Sequence, residues 1–168
     1  HSDGNVYAFC NRSVFKCSVN QTVETVFPDI AIPSPTYSVA QAPDKDIYIG
    51  TESNGLYIYS ENWKLKKHVP IDGIIATILP DNNGDIWLGL DETGICLFNK
   101  NKQTFTWLHK DNTNLNNNSI RTFVSYGDSS ILVGTFRGLN ILNKKELTIT
   151  PANINIAGKG GLSHYSIH

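Results

Sequence analysis

The sequence contains no methionine, no long apolar run and no excess of one charge. Its longest mostly apolar stretch, residues 74–79, has the length of a strand and is far shorter than the ~20 residues of a membrane-spanning helix. The chain carries 14 Lys and Arg residues against 15 Asp and Glu, a formal net charge of -1. This balance favours neither nucleic acid nor an anionic membrane surface as a partner. We therefore expect membrane contact only through other parts of a longer chain.

Cysteine is also scarce, because only Cys10, Cys17 and Cys96 are present. Their spacing does not match a zinc site, and their odd number excludes a complete disulfide framework. Cys10 and Cys17 could face each other on two strands of a hairpin and form a disulfide. We favour isolated, buried thiols instead.

The sequence has no motif for a cofactor, a metal or catalysis. Residues 81–85, followed by Glu92, resemble a calcium loop, but Ile86 occupies the sixth position, where the sharp turn needs glycine. The same residues are typical of a hairpin turn. Glycine-rich residues 158–161 lack the spacing of a phosphate loop and are predicted to be a linker. We therefore predict no metal, no cofactor and no catalytic residue.

The main feature of the sequence is a repeat with a period near 40 residues. Each copy has a strand-like segment that ends near a glycine, then a short turn, then a second segment that begins with a glycine. The glycines that end the first segments are Gly50, Gly89 and Gly134. They are separated by 39 and 45 residues. A second block, at Ser38 in the first copy, recurs at Thr77 and Thr122 with the same two intervals. Matching intervals in two blocks indicate a true repeat.

Each copy is predicted to contain four short antiparallel strands, a to d in chain order. In the middle copy they are residues 75–80, 85–90, 94–99 and 104–109. These segments are rich in Ile, Leu, Trp, Phe and Thr, and clusters of Asn, Asp and Gly lie between them. No segment has a sustained 3.6-residue apolar period, so we predict essentially no helix. Four strands and a period near 40 are typical of β-propeller blades, which stack because one blade cannot cover both of its apolar faces.

The predicted fold is thus all-β, a partial propeller of about four blades, each a four-stranded antiparallel sheet. Residues 1–30 supply a partial blade with strands b to d, residues 31–70, 71–112 and 113–156 supply whole blades, and residues 157–168 supply a linker and the first strand of the next blade. Because the chain lacks an initiator methionine and begins inside a repeat, we expect it to be a piece of a longer protein. It either closes as a small ring or forms an open arc, and an open arc favours dimer formation.

Eight residues of the repeat have a predicted structural role. Glycine within strand b permits close approach of the neighbouring blade, glycine opens strand c, and an aromatic residue of strand b fills the space between blades. These residues are Gly50, Gly89 and Gly134 in strand b, Gly55, Gly94 and Gly138 at the start of strand c, and the aromatic residues Tyr48 and Trp87.

The middle copy resembles the two-component regulator propeller repeat. The resemblance rests on Asp-Ile-Trp-Leu-Gly-Leu at residues 85–90, on the aromatic Phe98 and on Asn-Ser-Ile-Arg at residues 118–121. It covers nearly the whole chain and is weakest at residues 1–30, where Phe9 replaces the glycine. This repeat is typical of the periplasmic sensor region of Bacteroides hybrid two-component systems. The resemblance implies a propeller fragment that senses oligosaccharides, has no catalysis of its own and signals to a histidine kinase elsewhere in a longer chain.

In a propeller, the b–c turns and the d–a connections emerge on one face around the central channel. Planar hydrogen-bonding groups and aromatic rings suit sugars, and six such residues occur in the b–c turns. The candidate ligand-binding residues are Glu52, Asn54, Asp91, Glu92, Phe136 and Arg137. An ordinary charged turn is the alternative at each position. The alternative functions are a propeller lyase or glycan-cleaving enzyme, and a protein-interaction scaffold. For such an enzyme, only Glu52, Asp91 and Glu92 are candidate catalytic carboxylates in this chain.

Overall fold

The strands pair with their chain neighbours as antiparallel hairpins. The computed structural model describes residues 4–18, 20, 22–26 and 32–152, and it contains no helix within these ranges. The strands are β1 (Val6–Cys10), β2 (Ser13–Cys17), β3 (Val23–Val26), β4 (Thr36–Gln41), β5 (Ile47–Thr51), β6 (Leu56–Tyr59), β7 (Leu65–Val69), β8 (Ile75–Pro80), β9 (Asp85–Leu90), β10 (Gly94–Asn99), β11 (Thr104–Leu108), β12 (Ile120–Tyr126), β13 (Ser130–Thr135), β14 (Gly138–Asn143) and β15 (Ile149–Pro151).

Four sheets result, and the order of strands in space follows their order in the chain. Blade 1 has β1 to β3, blade 2 has β4 to β7, blade 3 has β8 to β11 and blade 4 has β12 to β15. The last strand of blade 3 ends at Leu108, one residue before the predicted end, because the backbone N–H of His109 donates to the side chain of Asn112. The predicted linker and strand at 157–168 lie outside the described residues.

Successive blades pack face to face, and their first strands lie closest to one another, β4 beside β8 and β8 beside β12. The glycines of strand b make this approach possible. A Cβ added at Gly89 would lie 2.5 Å from Cγ2 of Ile120 in blade 4, and one added at Gly50 would lie 2.6 Å from Cγ2 of Ile75 in blade 3. Each glycine therefore forms a notch that receives the first strand of the next blade.

Apolar clusters fill the spaces between the blades. Tyr48 of blade 2 is buried among residues of blade 3, and Trp87 of blade 3 is buried with Phe123 of blade 4. Between blades 1 and 2, Phe9 stands where the repeat has glycine, and its ring centroid lies 6.1 Å from that of Trp63. The sheets thus form an arc of propeller blades, which confirms the predicted fold class.

Lysines join neighbouring blades on the side of the a–b turns. Lys100, just after β10, reaches back to blade 2, where its Nζ lies 2.6 Å from Asp44 and 3.0 Å from the buried Asp46. Lys144 holds the equivalent place after β14 and lies 2.9 Å from Asp81 of blade 3. Each of these blades is therefore tied to the one before it by a charged contact as well as by apolar packing.

The two cysteines of the first hairpin lie at opposite ends of it. Cys10 pairs with Ser13 at the turn, whereas Cys17 pairs with Val6 at the open end. The tight turn after Cys10 sets this register, so a disulfide between these two residues is excluded and all three cysteines are free. Only Cys96 is buried, and the prediction of a buried thiol is wrong for the exposed Cys10.

Candidate ligand-binding face

The b–c turns of blades 2 to 4 are each tied by the same hydrogen bond to the segment that enters strand a of their own blade. The N–H of Glu52 donates to the carbonyl of Pro35 at 2.9 Å, and the N–H of Asp91 donates to that of Ile74 at 3.0 Å. In blade 4 the N–H of Phe136 donates to the carbonyl of Ser119 at 2.9 Å. These bonds bring the turns and the connections to one side of the arc. We call residues 52–54, 91–93 and 136–137 the turn face.

A β-bulge recurs at the start of strand a in blades 2, 3 and 4. The register shifts between Thr36 and Ser38, between Ile75 and Thr77, and between Ile120 and Thr122. The extra residues are Tyr37, Ala76 and Arg121. A bulge redirects its extra side chain out of the regular alternation of the strand, and bulges are common beside binding sites. In blade 4 the extra residue is an arginine beside the turn face.

Arg121 joins two of the predicted residues into one group. Its Nη1 lies 3.3 Å from Oδ2 of Asp91 in blade 3, and its Cζ lies 5.7 Å from the ring centroid of Phe136 in blade 4. The ring of Phe136 is 57% exposed. The other oxygen of Asp91, Oδ1, is buried and has no hydrogen-bond partner among the described residues. A cation, a carboxylate and an accessible aromatic ring thus meet on the turn face.

Neighbouring turn residues are held by the backbone. Glu92 adopts a φ of 63°, which is uncommon for a residue with a side chain, and its N–H donates to Oγ of Ser119 at 3.3 Å. The N–H of Arg137 donates to Oγ1 of Thr135 at 3.1 Å. The side chains of Glu92 and Arg137 are exposed. Both charges are therefore presented to solvent from fixed turns.

Glu52 and Asn54 occupy the turn of blade 2. The N–H of Asn54 donates to Oγ1 of Thr51 at 3.0 Å, and its carbonyl lies 2.7 Å from Nε2 of His68. Glu52 is exposed. Within the described ranges, no hydrogen bond or ion pair joins either residue to the group around Arg121.

The residues of the calcium-like loop form the a–b turn of blade 3. The N–H of Gly84 donates to the carbonyl of Asp81 at 3.2 Å, and the Asp81 carboxylate is occupied by Lys144. In the part of the chain that the structure describes, no three His, Cys, Asp or Glu side chains are grouped to hold a metal ion. Nor does that part contain a helix of the length and apolarity that a bilayer crossing requires.

The class of protein that this architecture defines is the β-propeller, of which the described residues form an arc of three complete blades and part of a fourth. Solved structures share this fold. The extracellular domain of a protein assigned as a one-component system of B. thetaiotaomicron superposes with a TM-score of 0.75 at 17% identity, over 95% of this chain and 22% of that one. The extracellular domain assigned to a hybrid two-component system of the same organism gives 0.69 at 16% identity, over 89% of this chain and 23% of that one.

A third solved structure with this fold is PorZ, a surface component of the type-IX secretion system of Porphyromonas gingivalis. It gives a TM-score of 0.64 at 15% identity, over 86% of this chain and 24% of that one. The chain therefore spans about a quarter or less of the length of these structures. No family model and no curated protein matches the sequence. Two of these structural neighbours are extracellular domains from Bacteroides, the genus in whose sensor proteins the propeller repeat is typical. At identities of 16% and 17%, this likeness establishes the fold alone.

Proposed function

We propose that this chain is part of the extracytoplasmic ligand-sensing propeller of a hybrid two-component sensor, and that its turn face binds an oligosaccharide. The observation that carries the proposal is the group formed by Asp91, Arg121 and Phe136, which come from three separate segments and meet on that face. The fold shared with extracellular domains assigned to hybrid two-component systems supports the assignment to a sensor.

The group offers complementary chemistry to a sugar. The exposed ring of Phe136 presents a flat, electron-rich face to the C–H bonds of a pyranose. A guanidinium has five N–H donors in a planar fork, so Arg121 can bind hydroxyl oxygens while it keeps its contact with Asp91. The exposed carboxylate of Glu92 can accept hydrogen bonds from hydroxyl groups.

The proposed role is sensing rather than turnover. A bound oligosaccharide changes the state of a sensor only if it binds one arrangement of the propellers, or of a dimer, better than another. We propose that this segment lies in the periplasm and that the response passes to a histidine kinase elsewhere in the longer chain.

Thermal unfolding in the presence of oligosaccharides tests the proposal. The panel consists of maltohexaose, cellohexaose, xylohexaose and mannohexaose, with a chondroitin hexasaccharide as an acidic member. At a hundredfold excess over Kd, binding stabilises by about 2.7 kcal/mol, and each kcal/mol raises the Tm of a chain of this size by roughly 2–4 °C. We therefore expect one member to raise the Tm saturably, by about 5–10 °C.

Two variants locate the effect. Phe136→Ala and Arg121→Ala should abolish the rise, whereas Tyr126→Ala should leave it intact, because Tyr126 is also 57% exposed but lies beside the a–b turn. If no member of the panel stabilises the chain, or if both turn-face variants respond like the wild type, the proposal is wrong. Release of new reducing ends, lost when Glu52, Asp91 and Glu92 are all converted to amides, would support the glycan-cleaving alternative instead.

A further inference from the structure

A concave region lies between blades 2 and 3, beside the last strand of blade 3. It is an open groove of about 350 Å³, near the lower end of the ~300–1,000 Å³ that ligand sites occupy. The groove is lined by Pro70, Ile71 and Asp72 of the connection before β8, by Thr93 of the turn face, and by Phe105 and Trp107 of β11. Of these residues, only Thr93 belongs to the turn face.

Two aromatic rings form one wall of the groove. Phe105 is 43% exposed and Trp107 is 36% exposed. They are two residues apart on one strand, so their side chains leave the same face of the sheet, about 7 Å apart. The ring of Phe98 stacks on that of Phe105, with centroids 5.0 Å apart and an angle of 21° between the planes. Phe105 is therefore supported by a buried ring, and Trp107 lies beside it on the same face of the strand.

The lining of the groove also includes two hydrogen-bonding side chains, Asp72 and Thr93. The carboxylate of Asp72 is exposed, and no hydrogen bond or ion pair engages it among the described residues. The hydroxyl of Thr93 donates to the carbonyl of Asp91 at 3.4 Å, which leaves its oxygen able to accept. An unpaired carboxylate accepts hydrogen bonds from hydroxyl groups and repels other anions. These polar lining residues thus suit a neutral, hydroxyl-rich ligand.

The edge of β11 is closed at this point to an added peptide strand. The side-chain amide of Asn112 donates to the carbonyl of Trp107 at 2.9 Å, and its oxygen accepts from the N–H of His109 at 2.8 Å. An added strand needs such edge groups free, because its affinity comes from main-chain hydrogen bonds. A peptide that extends the sheet is therefore a poor fit beside Trp107.

We infer that this groove is a carbohydrate subsite, in which a neutral oligosaccharide stacks on Phe105 and Trp107 and its hydroxyl groups bond to Asp72 and Thr93. The inference rests on the proposed function, since it places part of the same class of ligand in a second location. Because Thr93 belongs to the turn face, one extended oligosaccharide can pass from that face into the groove.

Tryptophan fluorescence of the 168-residue chain tests the inference directly. Trp63 and Trp87 are 8% and 1% exposed, so among the three tryptophans Trp107 is the one open to a quencher. The probes are the four neutral hexaoses of the panel above. We expect the hexaose that binds to protect the accessible tryptophan from acrylamide, and calorimetry to show about tenfold or greater weakening in Trp107→Ala. Trp107→Phe should retain most of the affinity, and Tyr126→Ala should retain all of it.

The outcomes separate this inference from the proposed function. Binding that survives in Trp107→Ala and Phe105→Ala but is lost in Arg121→Ala overturns the groove and leaves the turn face. Binding that is lost in both sets of variants supports a ligand that spans the two. If no hexaose binds, both proposals fail for neutral sugars. If Trp107→Ala changes only the sedimentation coefficient of the chain, the groove is a protein interface and the inference is overturned. Because Trp107 is on an edge strand, the folding control is an unchanged Tm.

Discussion

Substitution of Gly89 by alanine tests whether the blades pack as described. The added Cβ would lie 2.5 Å from Cγ2 of Ile120 in the next blade and 2.5 Å from Cγ2 of Thr77 in its own blade. Both neighbours are β-branched and attached directly to strand backbones, so neither can move aside easily. Overpacking of this kind costs typically about 1–3 kcal/mol, and two simultaneous contacts place the effect near the upper limit. For a chain of this length, a loss of about 3 kcal/mol lowers the Tm by roughly 6–12 °C.

The contribution of the next blade can be separated by a double-mutant cycle. Ile120→Leu removes the offending Cγ2 while it conserves volume, so Gly89→Ala should be less costly by at least about 1 kcal/mol in that background. Thr77→Ser removes the contact within the blade and gives the matched comparison. The assay is urea unfolding followed by far-UV circular dichroism. If Gly89→Ala and Ile120→Leu are additive within about 0.5 kcal/mol, the two residues are not in contact and the reasoning is refuted.

Three further predictions concern charge, thiol reactivity and turn geometry. Burial would raise the pKa of Asp81, but hydrogen bonds from Lys144 and a backbone N–H, with the lysine charge, hold that pKa below 3.8. The stability from this contact is therefore present at neutral pH and lost as pH falls through the folded pKa. In urea titrations, Lys144→Ala should have a lower free energy of unfolding than the wild type at pH 7, and the difference should shrink by pH 3. An equal difference at both pH values would contradict this. Burial raises the pKa of Cys96 to about 12. In native protein at pH 8, Ellman's reagent should therefore modify the exposed Cys10 and leave Cys96 unmodified until urea is added. Rapid modification of Cys96 would show that blades 2 and 3 are not packed against each other. Gly94 has a φ of 99°, and a Cβ added there would lie 2.5 Å from the carbonyl oxygen of Leu108. Gly94→Ala should therefore lower the Tm by several degrees. An unchanged Tm would contradict the turn geometry.

The fold could be predicted from the sequence because the patterns that define its strands and turns are local and recur in each blade. Alternating apolar residues define the strands, and clusters of Asn, Asp and Gly define the turns between them. The glycines of strand b indicated the repeat because a second block of the sequence has the same spacing. The structure shows why glycine is needed at Gly50 and Gly89, because an isoleucine of the next blade lies against each of them. Phe9 breaks the pattern, and at that interface aromatic rings replace the notch.

The contacts that complete the site were not predictable in the same way. Arg121 reaches the turn face because of a β-bulge, and a bulge is a shift of register that the apolar pattern does not encode. The only available indication was that positions 37, 76 and 121 vary in a block that otherwise repeats. Likewise, Lys100 meets an aspartate 56 residues away, a pairing that depends on how two blades are placed rather than on either sequence segment.

The placement of the cysteines in the first hairpin was also only partly predictable from the sequence. The sequence allows Cys10 and Cys17 to share a hairpin, and the structure shows that they do. Their separation depends on the register, and a shift of the turn would change which residues face each other. The candidate residues of the turn face remain predictions as ligand contacts, although the structure brings Asp91 and Phe136 together through Arg121.

The most direct test of ligand binding at the turn face is an NMR titration of the isotope-labelled chain. The titrant is the panel member that raises the Tm most, and the measured quantity is the shift of each backbone amide signal. The account predicts saturable shifts at residues 91–93 and 136–137 and at Arg121, with one common Kd, while the a–b turns at 42–46, 81–84 and 127–129 stay unchanged. Shifts confined to those a–b turns, or no saturable shift with any member of the oligosaccharide panel, would contradict it.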